Sequence, residues 1–199
     1  MQRDRPCRSS RAAFRGGSRQ AAGRISTRGF RPRSCIDRPN DGAQDMSNTP
    51  IKRIVVHCTA TREGQDVSAA TIKGWHLKQG WSDIGYHYVV RLDGRIEKGR
   101  PDTAVGSHVK GWNKGSIAIV YVGGLDKDGK AKDTRTPAQK KALKEIISRM
   151  RALHNDAPVM GHRDLSPDKD GDGIVERHEW LKECPCFDVP EWVKQGMPI

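Results

Sequence analysis

Two short β-branched runs, IKRIVVH at residues 51–57 and SIAIVYV at 116–122, constrain the fold of this chain more than any other feature. Each has the length and composition of a buried strand. Between and after them the apolar period changes. Ser68 can cap a helix running to about Gln79, with Ile72, Trp75 and Leu77 facing inward and Gly80 as its stop. Tyr86–Val90 pairs with Arg95–Lys98 across a Leu-Asp-Gly turn, because Asp-Gly between apolar runs is a hairpin signal. Thr136, Pro137 and Gln139 open a long helix with a capping-box pattern. Ala138, Ala142, Leu143, Ile146, Ile147, Met150 and Leu153 follow at helical spacing. Residues 158–162 read as one more short strand. Strands interleaved with helices predict a single α/β domain, a central mixed sheet flanked by helices, with its site at strand ends.

Length agrees with that: 199 residues suffice for one domain plus an extension. The charge is uneven. Residues 1–45 hold eleven Arg, no Lys and four Asp, a net +7 of the chain's +12. Such an Arg, Ser and Gly-rich stretch cannot bury enough surface to offset its ordering entropy, so a disordered extension is expected. Met46 then opens MSNTPIKRIVVHC, which runs into the first strand, so residues 1–45 read as an upstream extension from a mis-assigned start and 46–199 as the folded domain. A functional basic arm is the alternative. Aromatics that would stack bases are almost absent from it, so a nucleic-acid partner is not expected. No stretch resembles a secretory segment or approaches the ~20 apolar residues of a membrane span. Synthesis in the cytoplasm, no membrane insertion and a monomeric state are expected. Five cysteines without a regular framework argue against a disulfide scaffold.

His57, Tyr86, His162, Lys182 and Cys184 stand at or near predicted strand ends and loops. Two neutral imidazoles and a thiolate are a three-ligand zinc set that leaves a fourth position for water, the pattern of a catalytic and not a structural site. A lone histidine at a strand end is more often a satisfied polar residue; two with a cysteine in this order reverse that reading.

Five strings extend beyond spacing: HCTAT at 57–61, WHLKQGWSDIGYHYVV at 75–90, VGSHVKGWNKGSIAI at 105–119, GHRDLSP at 161–167 and KECPCFD at 182–188. Together they resemble zinc-dependent N-acetylmuramoyl-L-alanine amidases of the type 2 amidase and peptidoglycan recognition protein superfamily, closest to the phage endolysin amidases. The resemblance covers about residues 51–193 in order. It implies hydrolysis of the amide between the lactyl group of N-acetylmuramic acid and the first L-alanine of the stem peptide. His57, His162 and Cys184 match the zinc ligands, Tyr86 the catalytic tyrosine and Lys182 the catalytic lysine. The physical roles agree: zinc acidifies water and polarises a carbonyl, Lys182 can stabilise an oxyanion, and Tyr86 can orient water or assist proton movement. Cys186, two residues from Cys184, could compete for zinc or oxidise with its neighbour, and Cys184 is preferred on the resemblance alone. Cys58 should point opposite to His57 and be buried.

The remaining candidates rest on residue type. His108, Trp112 and Asn113, in a Gly-rich loop with Ser107 and Lys110, suit sugar or peptide binding against an aromatic surface. His76 and His87 neighbour core aromatics, and packing or hydrogen bonding behind the ligands is their expected role. His154 ends the long helix. A second metal reading concerns residues 168–179, DKDGDGIVERHE: Asp168, Asp170, Asp172, the carbonyl of Ile174 and Glu179 satisfy a calcium-loop pattern, with Gly173 at the sharp turn. No incoming helix precedes it, so it is at most half an EF-hand. A solvated acidic turn is the alternative. Calcium there would order the connection between His162 and the Lys182–Cys184 pair.

The expected function is a peptidoglycan-cleaving endolysin of a phage or prophage, reaching the wall after membrane permeabilisation. A cytosolic amidase recycling anhydro-muropeptides and a non-catalytic peptidoglycan-binding module are the rivals.

Overall fold

The computed structural model describes residues 44–199. The expected disordered extension, with Cys7 and Cys35, lies outside the described residues as far as residue 43. Where the description begins, the chain is already packed. Val105 N–H donates to Gln44 O, Asp45 forms a β-bridge with Ala104, and Met46 is 2 % exposed.

In chain order the elements are β1 (Arg53–Cys58), β2 (Thr61–Arg62), α1 (Ala69–Lys78), β3 (Tyr88–Val90), β4 (Ile96–Lys98), β5 (Ser116–Tyr121), β6 (Gly124–Leu125), α2 (Pro137–Leu153), β7 (Val159–Gly161) and α3 (Val189–Lys194). Five strands form the main sheet in the order β4-β3-β5-β1-β7, and β2 pairs with β6 apart from it. β1 is parallel to β5 and β7, β3 is parallel to β5, and β4 is antiparallel to β3, so the sheet is mixed as expected. All six residues of the central strand β5 are buried. Burial on both faces is why this run reads as continuously apolar instead of alternating. The β3–β4 hairpin closes as the Asp-Gly signal requires, with Gly94 at φ +84° and its N–H donating to Arg91 O.

Side-chain alternation splits the core. Ile54, Val56 and Cys58 of β1 and Ile117, Ile119 and Tyr121 of β5 pack with Leu143, Ile147 and Met150 of α2 and Val189 and Trp192 of α3. Val89, Val120 and Val122 face the other way, against Ile72 of α1, Val67 and Ile84. His57, between Val56 and Cys58, therefore points away from α2, and Cys58 is buried on the opposite face as expected.

Both long helices start at their sequence caps. Ser68 Oγ accepts from Thr71 N–H, and Thr136 and Gln139 cap each other reciprocally. Gln139 does more than cap: fully buried, its amide donates to Val90 O and Val122 O, carbonyls at the end of β3 and just beyond β5. Three inward expectations fail. Leu77 is 46 % exposed because the position one turn beyond Ile72 belongs to the buried His76. Leu153, the last residue of α2, is exposed, as is Ala138 in its first turn. No helix among the described residues is long and apolar enough to cross a membrane.

Candidate active site

The site grows from the ends of β1 and β7. Val56 lies in register with Gly161, and His162 N–H donates to Val56 O at 3.1 Å. Adjacent parallel strands running in step thus release His57 and His162 side by side, at the carboxyl edge where ligands of parallel sheets gather. Their Nδ1 atoms are 3.2 Å apart.

The third arm is the turn around Cys184. Arg163 N–H donates to Cys184 O at 2.9 Å, and Tyr121 Oη–H donates to Pro185 O at 2.7 Å. Phe187 is covered by the Arg135 guanidinium at 3.2 Å. A Cβ at Gly161 would meet Pro185 Cδ at 2.6 Å, so only glycine lets β7 lie against this turn. Cys184 Sγ is held 3.9 Å from His57 Nδ1, and Cys58 N–H points at the sulfur from 3.2 Å. The three ligand atoms lie within 4.8 Å of one another. Around a tetrahedral zinc, two nitrogens sit about 3.3 Å apart and a nitrogen and a sulfur about 3.6 Å apart. The donor set fits that ion in type and in spacing.

Electrostatics favour unprotonated imidazoles. Burial, then the charges of His108, His162 and Lys182, holds His57 well below the ordinary imidazole range. Burial and Lys182 bring His162 down to about 4. At neutral pH both rings keep their lone pairs. Burial, with the neighbouring Cys184 and Cys58, raises the Tyr86 phenol, so it remains a proton donor. Its ring lies 5.2 Å from that of His57. Lys182 is exposed and shares with His162 the wall of a cavity of about 810 Å³.

The loop residues expected to bind substrate divide. His108 and Trp112 line that cavity, Trp112 being 42 % exposed with the Arg53 guanidinium 4.8 Å from its ring. Asn113 is spent elsewhere. Its Oδ1 accepts from His108 N–H and Val109 N–H, each at 2.9 Å, and so clamps the loop. His108 Nδ1 sits 3.1 Å from His57 Nε2, a contact that sequence reasoning missed because residues 51 positions apart carry no spacing signal. The Cys58 amide behind Cys184 was missed for the same reason.

Cys186 turns away from the triad: its Sγ lies 3.8 Å from Cys58 Sγ and 3.2 Å from Gly124 O. His87 is fully buried between Ala104 O and Ala118 N–H, each at 2.9 Å, and His76 accepts from Gly85 N–H beneath Trp81. Both serve packing and hydrogen bonding, as expected. His154 is the C-cap of α2.

The acidic loop offers calcium no more than the sequence did. A 3-10 turn at Arg163–Leu165 precedes it, and a second, Arg177–Glu179, forms its last three residues. Asp168, Asp170 and Asp172 approach one another but are exposed. Glu179 is fully buried, with its carboxylate on Lys169 N–H and Glu176 N–H. The pattern is written in residue types that also build a self-capped acidic turn, and calcium is not supported beyond it.

Comparison with known proteins agrees with this geometry. The family profile described as N-acetylmuramoyl-L-alanine amidase matches residues 47–185. The chain is similar to the endolysin of Enterobacteria phage K11, 41 % identical over 71 % of this chain and 84 % of the relative. It is similar also to the endolysin of Escherichia phage T7, 39 % identical over 70 % and 83 %. Among solved structures it resembles the N-acetylmuramoyl-L-alanine amidase LysC from Clostridium intestinale, with a TM-score of 0.57 and 28 % identity, covering 78 % of this chain and 93 % of that one. With its profile match spanning most of the domain and endolysins among its relatives, the chain belongs to the N-acetylmuramoyl-L-alanine amidase family.

Proposed function

We propose that this chain is a zinc-dependent endolysin amidase, hydrolysing the amide between the lactyl group of N-acetylmuramic acid and L-alanine of the stem peptide. The observation that carries the reading is the convergence of His57 Nδ1, His162 Nδ1 and Cys184 Sγ beside a large open cavity. His57, His162 and Cys184 would hold zinc, which supplies a Lewis acid and an acidified water at neutral pH. The chain's own groups do the rest. Desolvation keeps both imidazoles unprotonated, and the Cys58 amide supports negative charge on the Cys184 sulfur. Lys182, on the cavity wall, places a positive charge where an oxyanion develops. Tyr86, whose half-buried phenol keeps its proton, donates a hydrogen bond or passes a proton at the reacting amide. Trp112 gives the cavity an aromatic face for the glycan or peptide.

The test is release of new L-alanine amino termini from purified sacculi by the full chain, as prepared, after zinc removal and after zinc is restored. Release that vanishes and returns with zinc is expected. Cleavage of soluble anhydro-muropeptides alone would move the protein to fragment recycling, and no cleavage of either substrate would leave a binding module.

A further inference from the structure

We infer that His108 is a positioning residue: its Nδ1 accepts the Nε2 proton of His57 and thereby fixes the ring and tautomer with which His57 faces the metal. The inference rests on the zinc reading above and assigns a role to a residue that the sequence placed only in a substrate loop.

The argument is one of proton placement. His57 presents Nδ1 to His162 and Cys184, so in the ligand-competent ring Nδ1 carries the lone pair and Nε2 carries the proton. That proton points at His108 Nδ1 across 3.1 Å. An acceptor must stand there, so His108 bears its own proton on Nε2. The two rings meet edge to face, with centroids 5.0 Å apart and planes at 83°, which suits a donor entering the plane of the acceptor ring. His108 Nε2 has no other partner among the described residues, so His57 is the ring's one polar anchor.

The surroundings hold His108 in place. Asn113 Oδ1 clamps its backbone N–H. The Trp112 carbonyl accepts from both Ser116 Oγ–H and Arg53 Nη1–H, tying the loop to the edge of β5 and β1. Gly106 makes room, since a Cβ there would meet His108 Cδ2 at 2.6 Å. A metal-ligating histidine usually gives its second N–H to a carboxylate, a backbone carbonyl or water. Here a neutral imidazole does that work, orienting His57 without adding negative charge behind the ligand.

The experiment measures zinc dissociation constants by chelator competition for the full chain and for His108→Ala and His108→Asn, with KM for a soluble muropeptide at saturating zinc. Asn places an amide oxygen close to where His108 holds Nδ1. Loss of the acceptor should weaken zinc about 10- to 100-fold in His108→Ala, with KM within about twofold, and His108→Asn should recover most of the affinity. Unchanged zinc affinity with a raised KM in His108→Ala would overturn the inference in favour of direct substrate contact. Equal weakening in both variants would overturn the acceptor role. Long-range proton–nitrogen spectra of the unsubstituted zinc-loaded chain provide an independent check: Nε2–H tautomers are expected at His57 and His108, and an Nδ1–H tautomer at His108 sinks the idea. Should the unsubstituted chain bind no zinc, the zinc reading itself fails, a result distinct from failure at His108.

Discussion

The triad and the acidic loop are both clusters of ionisable side chains written in metal-binding patterns, yet the fold treats them in opposite ways. The triad draws His57, His162 and Cys184 from three segments to the carboxyl ends of adjacent parallel strands in the mixed sheet. Backbone N–H groups nearby go largely to strand pairing, apart from that of Cys58 at the Cys184 sulfur, so two imidazole nitrogens and a sulfur converge where a cation could sit. The loop packs its carboxylates into twelve consecutive residues whose own N–H groups are free. Asp168 takes those of Gly171 and Gly173, Asp172 that of Ile174, and Glu179 those of Lys169 and Glu176. The local cluster satisfies itself through its own backbone, whereas the long-range one meets a backbone donor only at Cys184 among the described residues. That difference, more than residue type, separates the proposed metal centre from an acidic turn.

The strongest way to break the contrast is at the triad. Cys184→Ser and His57→Ala should each lose bound zinc and lower amide cleavage by at least about 10³-fold, because metal stabilisation of the developing charge is worth several kcal/mol. Zinc content by elemental analysis beside sacculus digestion checks this; full occupancy in either variant contradicts the ligand assignment. Tyr86→Phe removes only the phenolic hydroxyl, so kcat should fall about 10²-fold while zinc content stays at one ion per chain. Loss of zinc along with activity would instead make Tyr86 a support for His57.

Acid tests the same region through linkage. In the metal-free protein His162 resists protonation down to about 4, whereas an unfolded imidazole takes up its proton near the ordinary value of 6.5. Between those values the unfolded state binds more protons, so stability present above pH 6.5 declines as the pH falls toward 4. Denaturant midpoints across that window should drop on acidification; a flat profile would mean that His162 is open to solvent.

The loop responds differently. Glu179→Ala strips acceptors from two backbone N–H groups, and a loss of about 1–3 kcal/mol in unfolding free energy is expected. Zinc affinity should hold within about twofold.

How much of this was legible in the sequence follows the same division. Strand runs, the Asp-Gly hairpin and the Ser68 and Thr136 caps depend on neighbours a few residues away, and all stand where the residues indicated. The fold class followed from their alternation. His57, His162 and Cys184 were found through strings that resemble a family, since spacing alone does not say that residues 57, 162 and 184 meet. What stayed hidden was every contact with no local mark: His108 behind His57, the Cys58 amide behind Cys184, and Asn113 turned onto its own loop. Leu77 failed for a simpler reason, as helix phase gave the inner position to a histidine where hydrophobicity favoured the leucine.

The smallest effect gives the finest test of the contrast. Asp170 is exposed, and its carboxylate accepts one long bond, from Asp172 N–H at 3.3 Å. An asparagine keeps an acceptor in that position, so Asp170→Asn should change unfolding free energy by no more than about 0.5 kcal/mol, as for other surface substitutions. Zinc affinity should not move at all, because the carboxylates of Asp168, Asp170, Asp172 and Glu179 take backbone N–H groups of the loop itself. The connection from His162 to Lys182 passes through these residues, which makes the result informative in either direction. A tenfold weakening of zinc in Asp170→Asn would show that the turn sets the position of the third ligand, and the two clusters would then have to be read as one device.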